Sequence, residues 1–144
     1  MSSMPTPPPE GEYTLRRQRN GSGYFGHVRV ELRPGGTAGP PSVAWAVPAE
    51  DRASIGPRED AEFVAAAITG ARDGVRLARA LGATVDGWAV DIVRARLSLT
   101  DIEESAVRTA AAMAVGAAFG VRHRLHVRFE SGWYVARDPV NRAP

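Results

Sequence analysis

Alternating apolar and polar positions mark the first third of the chain and predict β-strands there. Between Gly26 and Arg33 the apolar positions are Val28, Val30 and Leu32, and the polar ones are His27, Arg29, Glu31 and Arg33. Side chains alternate between the two faces of a strand, so this stretch is expected to bury one face and expose the other. The short apolar run VAWAV follows the Gly- and Pro-rich loop RPGGTAGPPS and predicts a further strand.

The spacing of apolar residues changes to three and four after residue 56, which predicts a helix. Its apolar face is formed by Val64, Ile68, Ala71, Val75 and Ala78. Pro57 is expected at the first helical position and Gly82 just past the last, because these residue types favour those places. Gly70 and Gly74 weaken the helix, which indicates either close packing or a bend.

The second half of the chain predicts a strand, a helix and a final strand. WAVDIVRARLSL places Val93, Ala95, Leu97 and Leu99 on one face of a strand and Arg94, Arg96 and Ser98 on the other. The segment TDIE matches a capping box, in which Thr100 and Glu103 satisfy each other's backbone donors at the start of a helix. The inner face of that helix is Val107, Ala110, Ala114 and Ala118. RLHVRFE predicts a last strand that buries Leu125, Val127 and Phe129, with GWYVARDP as its candidate hairpin partner.

The resulting order, β-β-β-α-β-α-β, predicts an α+β fold in which one sheet carries its helices on a single face, as a two-layer sandwich. The Pro-rich residues 1–11 are nearly free of apolar side chains and are expected to form a disordered leader. Residues 12–138 then form a single domain, and residues 139–144 are a tail.

Composition narrows the possible chemistry. The chain of 144 residues contains no cysteine, which excludes disulfides, thiolate metal sites and cysteine nucleophiles. No apolar run approaches the length of a membrane span and no signal peptide opens the sequence, so a cytoplasmic location without membrane contact is expected. All 18 basic residues are arginine, and the net charge is only +2. A nucleic-acid surface would therefore depend on how the arginines are arranged.

The stretch GSGYFGHV, Gly21 to Val28, fits a glycine pattern found in nucleotide-binding loops. A dinucleotide site needs a helix directly after the glycines, whereas a strand is predicted here. A protein-kinase loop lies between strands but requires a lysine on the third strand, and this chain has no lysine. We therefore expect no nucleotide and no cofactor.

Several segments, taken in order, resemble domain IV of translation elongation factor G. They are RQRNGSGYFGHVRVELRP, ARDGVRLARALG, GWAVDIVRARL and EESAVRTAAAMAVGAAF, which together span about residues 16 to 119. The resemblance implies a mostly four-stranded sheet with two helices on one face and a left-handed β-α-β crossover, a fold shared with a small-subunit ribosomal protein domain. In that factor the domain reaches into the ribosomal A site, where its tip loops contact the decoding region and the tRNA–mRNA.

The resemblance also implies a non-catalytic domain that binds the ribosome or structured RNA. The first tip loop supplies the candidate contacts Arg19, Asn20, Gly21, Ser22, Gly23, Tyr24 and His27. The chain departs from the family because it has no GTPase domain, and its second tip loop is shortened to about SLTDI, without the family's His-bearing acidic segment. A protein-interaction or homo-oligomerisation module that keeps the fold without RNA binding is the alternative, and a small enzyme on the same scaffold is a further one.

A second candidate RNA surface is the polar face of the predicted sheet. If the strands are neighbours, this face carries Arg29, Arg33, Arg94, Arg96, Arg124 and Arg128. The alternative is a solvated face on which arginine pairs with glutamate across strands. Tyr24 could stack on a base or cover the sheet edge, and His27 is expected on the polar face beside Arg29.

The remaining polar residues give no enzyme signature. His123 and His126 lack a convincing third metal ligand, and Asp91 and Asp101 lack a paired carboxylate at a recognisable spacing. We therefore expect no catalytic residues and no metal.

Overall fold

The computed structural model describes residues 9–19, 21–35, 39–97 and 103–138. Its elements, in chain order, are β1 (Glu10–Arg19), β2 (Ser22–Pro34), β3 (Ser42–Trp45), α1 (Ala61–Ala80), β4 (Trp88–Leu97), α2 (Glu104–Ala118), a 3-10 turn (Arg122–Arg124), β5 (Leu125–Phe129) and β6 (Trp133–Arg137). Glu10 and Gly11, which the sequence assigned to the leader, lie in β1. Pro9, also assigned to the leader, is described as well, and its carbonyl accepts a hydrogen bond from the Leu32 N–H. Residues 1–8 of the expected leader and the tail lie outside the described residues.

The main sheet has four strands in the order β1-β2-β4-β3. β1 and β4 each pair antiparallel with β2, while β3 pairs parallel with β4. The β3–α1–β4 segment is therefore the crossover connection. That this crossover is left-handed remains a prediction. Both helices lie on one face of this sheet: α2 packs across β1 and β2, and α1 lies against α2 and β3. The α+β, two-layer sandwich is confirmed.

The alternation in β2 is confirmed, because Val28, Val30 and Leu32 are buried beneath the helices. The face predicted for β4 is wrong at Val93. Arg29 pairs with Arg94 and Val30 pairs with Ile92, so Val93 is an extra residue at a bulge. The bulge moves the buried positions of the strand to Val90, Ile92 and Ala95.

The predicted start of the first helix is four residues early. Pro57 lies in a turn, and α1 begins at Ala61 with Asp60 as its N-cap residue. The Asp60 carboxylate accepts a hydrogen bond from the backbone N–H of Gly56 at 3.1 Å, which closes that turn before the helix. The predicted end is confirmed, since the helix ends at Ala80 and Gly82 follows with a φ of 93°.

The capping box predicted for the second helix is wrong. The N-cap residue of α2 is Glu103, whose carboxylate accepts a hydrogen bond from the backbone N–H of Ser105 at 3.1 Å. Thr100 lies outside the described residues. The small residues of α2 face the sheet and α1, where Val107, Ala110 and Ala114 are buried.

The last two strands form a separate two-stranded antiparallel sheet in which Val127 pairs with Val135. The hairpin was predicted and is confirmed, but the expectation that it extends the main sheet is wrong. It packs against α2 instead, and the backbone N–H of Trp133 donates to Ser105 Oγ at 2.8 Å. Within the described part of the chain, neither helix is long and apolar enough to cross a membrane.

Candidate nucleic-acid interface

The tip of the molecule is the end of the β1–β2 hairpin. The two strands pair up to Arg19 and Ser22, and Gly21 has a φ of 82°, a conformation that favours glycine. Gly21 and Ser22 are exposed, and Gly23 is half-buried. Asn20 lies outside the described residues.

Charge is segregated along β1. The acidic residues Glu10 and Glu12 lie at the end far from the tip, whereas Arg16, Arg17 and Arg19 lie beside it. No acidic residue occurs between Glu12 and Glu31. The sequence signal for this cluster is the run RRQR, of which only Arg19 was predicted as a contact.

The outward face of the main sheet is largely charge-compensated. Arg29 Nη2 contacts Glu10 Oε2 at 2.6 Å and Glu31 Oε2 at 3.9 Å, and Arg33 Nε contacts Asp91 Oδ2 at 2.7 Å. The hydrogen bond to Glu10 and the attraction of its carboxylate raise the pKa of Arg29. This arrangement favours the alternative of cross-strand arginine–carboxylate pairs.

The remaining predicted residues of this face divide into two groups. Arg94 and Arg96 lie on it, opposite Arg29 and His27 in the pairing of β2 with β4. His27 is on the polar face as predicted, and its imidazole Nε2 contacts the carboxylate of Glu12. Arg96 also attracts the carboxylate of Asp51. The pKa of Asp51 is lowered mainly because this carboxylate accepts a hydrogen bond from the Ser54 hydroxyl, and the attraction to Arg96 makes a smaller contribution.

The other two predicted members, Arg124 and Arg128, are not on this face, because β5 belongs to the separate sheet. Arg124 binds the protein itself: its Nη1 donates to the Leu81 carbonyl at 3.4 Å and its Nε lies 4.0 Å from Asp138 Oδ2. Arg128 is exposed on the β5–β6 hairpin. The six-arginine sheet face is therefore wrong as a single surface.

Three aromatic rings join the tip to the β5–β6 hairpin. Trp133 lies with its ring centroid 5.5 Å from that of Tyr24 and 5.0 Å from that of Phe129, both in edge-on arrangements. Tyr24 and Phe129 are 5.9 Å apart. Tyr24 is half-buried in this cluster, so the structure favours its packing role over stacking on a base.

Arginine side chains lie over the rings of this region. The guanidinium carbon of Arg19 is 4.8 Å from the centre of the Phe129 ring, and that of Arg17 is 5.9 Å from the centre of the Trp133 ring. Arg16 lies in the same way over Phe25, at 5.2 Å. A guanidinium group that contacts an aromatic ring can still donate its N–H groups to another partner.

A cleft separates the end of β1 from the β5–β6 hairpin, and we refer to it as the arginine cleft. It has a volume of about 510 Å³. Its lining includes Arg17, Arg19, Arg128, Phe129, Trp133 and Tyr134. Among the residues that the structure describes, no carboxylate lines it. Within the described ranges, none of its three arginines has a carboxylate oxygen within 4.0 Å. From the sequence, Phe129, Trp133 and Tyr134 were predicted only to lie in strands, with no role in a site.

Histidine and carboxylate groups elsewhere make structural contacts. The imidazole of His126 contacts the carboxylate of Asp138. Asp73 accepts a hydrogen bond from Arg76 within α1 and another from Arg108 of α2, which joins the two helices. In the part of the chain that the structure describes, no three His, Asp or Glu residues are grouped as a metal site would require.

The glycine pattern lies in the β1–β2 turn and in β2, and its last glycine is covered. A methyl group on Gly26 would meet the Ala106 carbonyl oxygen at 3.1 Å, so this position serves the contact between strand and helix. We therefore expect ATP, GTP and NAD to show no saturable micromolar binding in calorimetric titration. Stoichiometric binding of any of them at about 0.15 M salt would contradict this assignment.

No protein-family model and no curated protein matches the chain. Among solved structures, it is similar to the crystal structure of ttk003000868 from Thermus thermophilus, with a TM-score of 0.56 and 21% sequence identity. The match covers 74% of this chain and 14% of that chain, so this chain spans a small part of that protein. At this identity the likeness shows a shared fold.

Proposed function

We propose that the chain is a non-catalytic domain that binds RNA or the ribosome and is related to domain IV of elongation factor G. The ordered segments that resemble that domain support this proposal, as does the agreement of the fold with the one that the resemblance implies. The observation that carries it is the arginine cluster at the hairpin tip, Arg16, Arg17 and Arg19, which has no carboxylate partner within the described ranges.

The tip suits a phosphate backbone for two reasons. Arginine presents a planar set of donors that matches phosphate geometry and remains charged. Aromatic rings hold the three guanidinium groups in place, so fewer side-chain rotamers are lost on binding. In this proposal the tip replaces the sheet face as the main RNA contact, because carboxylates already occupy Arg29 and Arg33.

The protein-interaction module remains the second candidate, and the edge of the main sheet favours it. The Leu32 N–H donates to the Pro9 carbonyl at 2.8 Å, which assigns the odd-numbered residues of β1 to the ladder with β2. The even-numbered residues, from Glu10 to Gln18, then direct their backbone groups away from β2. Such an edge can accept a further strand.

Replacing Arg16, Arg17 and Arg19 together with Gln tests the RNA proposal. We expect the affinity for a labelled RNA stem-loop to fall at least about tenfold at about 0.15 M salt. The slope of log affinity against log salt should decrease by about 2–3, because each lost phosphate contact contributes about 0.7–0.9. Fluorescence anisotropy over a salt series measures both quantities.

The matched control replaces Arg29, Arg33 and Arg94 with Gln, which removes the same charge from the sheet face. Its effect on affinity should be the smaller of the two. An equal loss in both variants would assign the binding to net charge instead of the tip. If the wild-type protein binds RNA no better than a neutral protein of the same size at low salt, the proposal is wrong, and a dimer detected by sedimentation would favour the interaction module.

A further inference from the structure

Tyr134 stands apart from the other aromatic residues near the tip. It is 41% exposed, whereas Trp133 is buried and Tyr24 and Phe129 are half-buried. The Tyr134 ring is therefore open to contact with a ligand, whereas the rings of Tyr24, Phe129 and Trp133 are packed against the core. Tyr134 also lines the arginine cleft.

The pairing of β5 with β6 gives Tyr134 a cationic neighbour. Tyr134 is directly opposite Arg128, and partners in an antiparallel pair project from the same face with their Cβ atoms about 4.5–5.5 Å apart. One cross-strand pair therefore presents a flat aromatic surface next to a guanidinium group. Arg19, held over Phe129, borders the same cleft.

Combining the proposed function with this geometry, we propose that the arginine cleft is a subsite for single-stranded RNA. A backbone phosphate lies between Arg19 and Arg128, and an unpaired base stacks on Tyr134. This inference rests on the proposed function and adds two features to it: the form of RNA that is preferred and the residue that recognises it.

The preference for a single strand follows from what Tyr134 offers. A side chain can stack only on a base whose face is uncovered, and in a duplex the neighbouring base pairs cover both faces. Stacking is tolerant of sequence because every base has a flat face, so the subsite should not depend strongly on base identity. A duplex can still contact the arginines through its phosphates, but it gains nothing from Tyr134.

The test uses the full chain and two labelled probes, an unstructured oligouridine and an RNA duplex of the same length. We expect wild type to bind the oligouridine at least about fivefold more tightly than the duplex. Tyr134→Ala and Tyr134→Leu should each weaken oligouridine binding by about 5–100-fold while leaving the salt slope and the duplex affinity unchanged. Tyr134→Phe keeps the ring and should retain binding.

Arg19→Gln combined with Arg128→Gln is the complementary variant. It should weaken binding of both probes and reduce the salt slope for the oligouridine by about 1–2, because two phosphate contacts are removed. Circular dichroism and thermal melting of every variant establish that it is folded. Since Tyr134 and Arg128 are exposed, all variants should melt near the wild-type temperature.

The outcomes separate this inference from the function on which it rests. If wild type binds RNA and the Tyr134→Ala variant keeps the wild-type preference for the oligouridine, the subsite is wrong and the RNA-binding function stands. If wild type binds neither probe, both are wrong. If an acidic peptide of the same charge displaces the oligouridine as well as unlabelled RNA does, the cleft is a general anion site and the subsite is again wrong.

Discussion

Replacing Gly70 with Ala should lower the free energy of unfolding by about 2–4 kcal/mol, although Ala is the better helix former by about 1 kcal/mol. Gly70 lies in α1 where that helix crosses α2. A methyl group built on it comes within 2.8 Å of Arg108 Cα and closer still to the Arg108 carbonyl oxygen. Backbone atoms cannot rotate away as a side chain can, so the helices must separate.

The separation is costly because a second glycine makes the same contact one turn later. A methyl group on Gly74 would lie 2.7 Å from the Ala112 carbonyl oxygen. The two helices are therefore in backbone contact along a full turn, and moving them apart opens voids beside Ala67, Ala71 and Ala111, all of which are fully buried. Urea denaturation followed by circular dichroism gives the change in stability.

Gly116→Ala is the matched control within α2. The atom that its methyl group would meet is the Cδ1 end of the Leu125 side chain, which can change rotamer. We expect a change in the free energy of unfolding of less than about 1 kcal/mol, since the gain in helix propensity offsets the repacking. Equal and small effects at Gly70 and Gly116 would mean that α1 and α2 are further apart than described.

The sequence predicted either close packing or a bend at Gly70 and Gly74, because glycine inside a helix has an entropic cost that some other feature must offset. It could not indicate which element makes that contact, since helical spacing identifies a face but not the partner of the face. The same holds for Val28, Val30 and Leu32, whose burial was predicted correctly. Local periodicity decides which side of an element is buried.

The errors arose where tertiary contacts override local pattern. Nothing in WAVDIVRARL distinguishes a regular strand from one with a bulge, so the face of β4 was assigned from strict alternation and failed at Val93. The alternation in RLHVRFE likewise predicts a strand without specifying its sheet. As a result, Arg124 and Arg128 were placed with the arginines of the main sheet, from which β5 is separated.

At the candidate site, too, local sequence predicted some features and contacts between distant segments decided the others. Arg19 could be proposed from its place in the tip loop, whereas the arginine cleft combines β1 with residues more than 100 positions later. Cross-strand arginine–glutamate pairing was one of the alternatives predicted for the sheet face, but Glu10 was not expected to take part, because it was assigned to the leader and its contact with Arg29 spans 19 positions. Contacts between distant segments decide which arginines are paired with carboxylates, and a single sequence does not specify these contacts.

Trp133 is the buried aromatic side chain through which the β5–β6 hairpin contacts the tip. Trp133 is 6% exposed, contacts the rings of Tyr24 and Phe129, and lies beneath the guanidinium group of Arg17. Its indole Nε1 is buried and has no hydrogen-bond partner among the described residues. A buried donor without an acceptor destabilises the folded state by about 1–3 kcal/mol. Burial of the ring therefore stabilises the fold, while the N–H group of the same ring destabilises it.

Trp133→Ala should therefore lower the free energy of unfolding by about 3–5 kcal/mol, because it removes the ring at the centre of the cluster. Trp133→Phe keeps an aromatic ring and deletes the buried donor, which offsets the smaller ring, so its stability should lie within about 1.5 kcal/mol of wild type. Urea denaturation of the two variants gives the comparison. Under the RNA-binding proposal, the Phe variant should keep the wild-type affinity for RNA because Arg17 still has a ring to lie on, whereas the Ala variant should bind RNA more weakly. Equal stability of the two variants would mean that the indole does not fasten the hairpin to the tip.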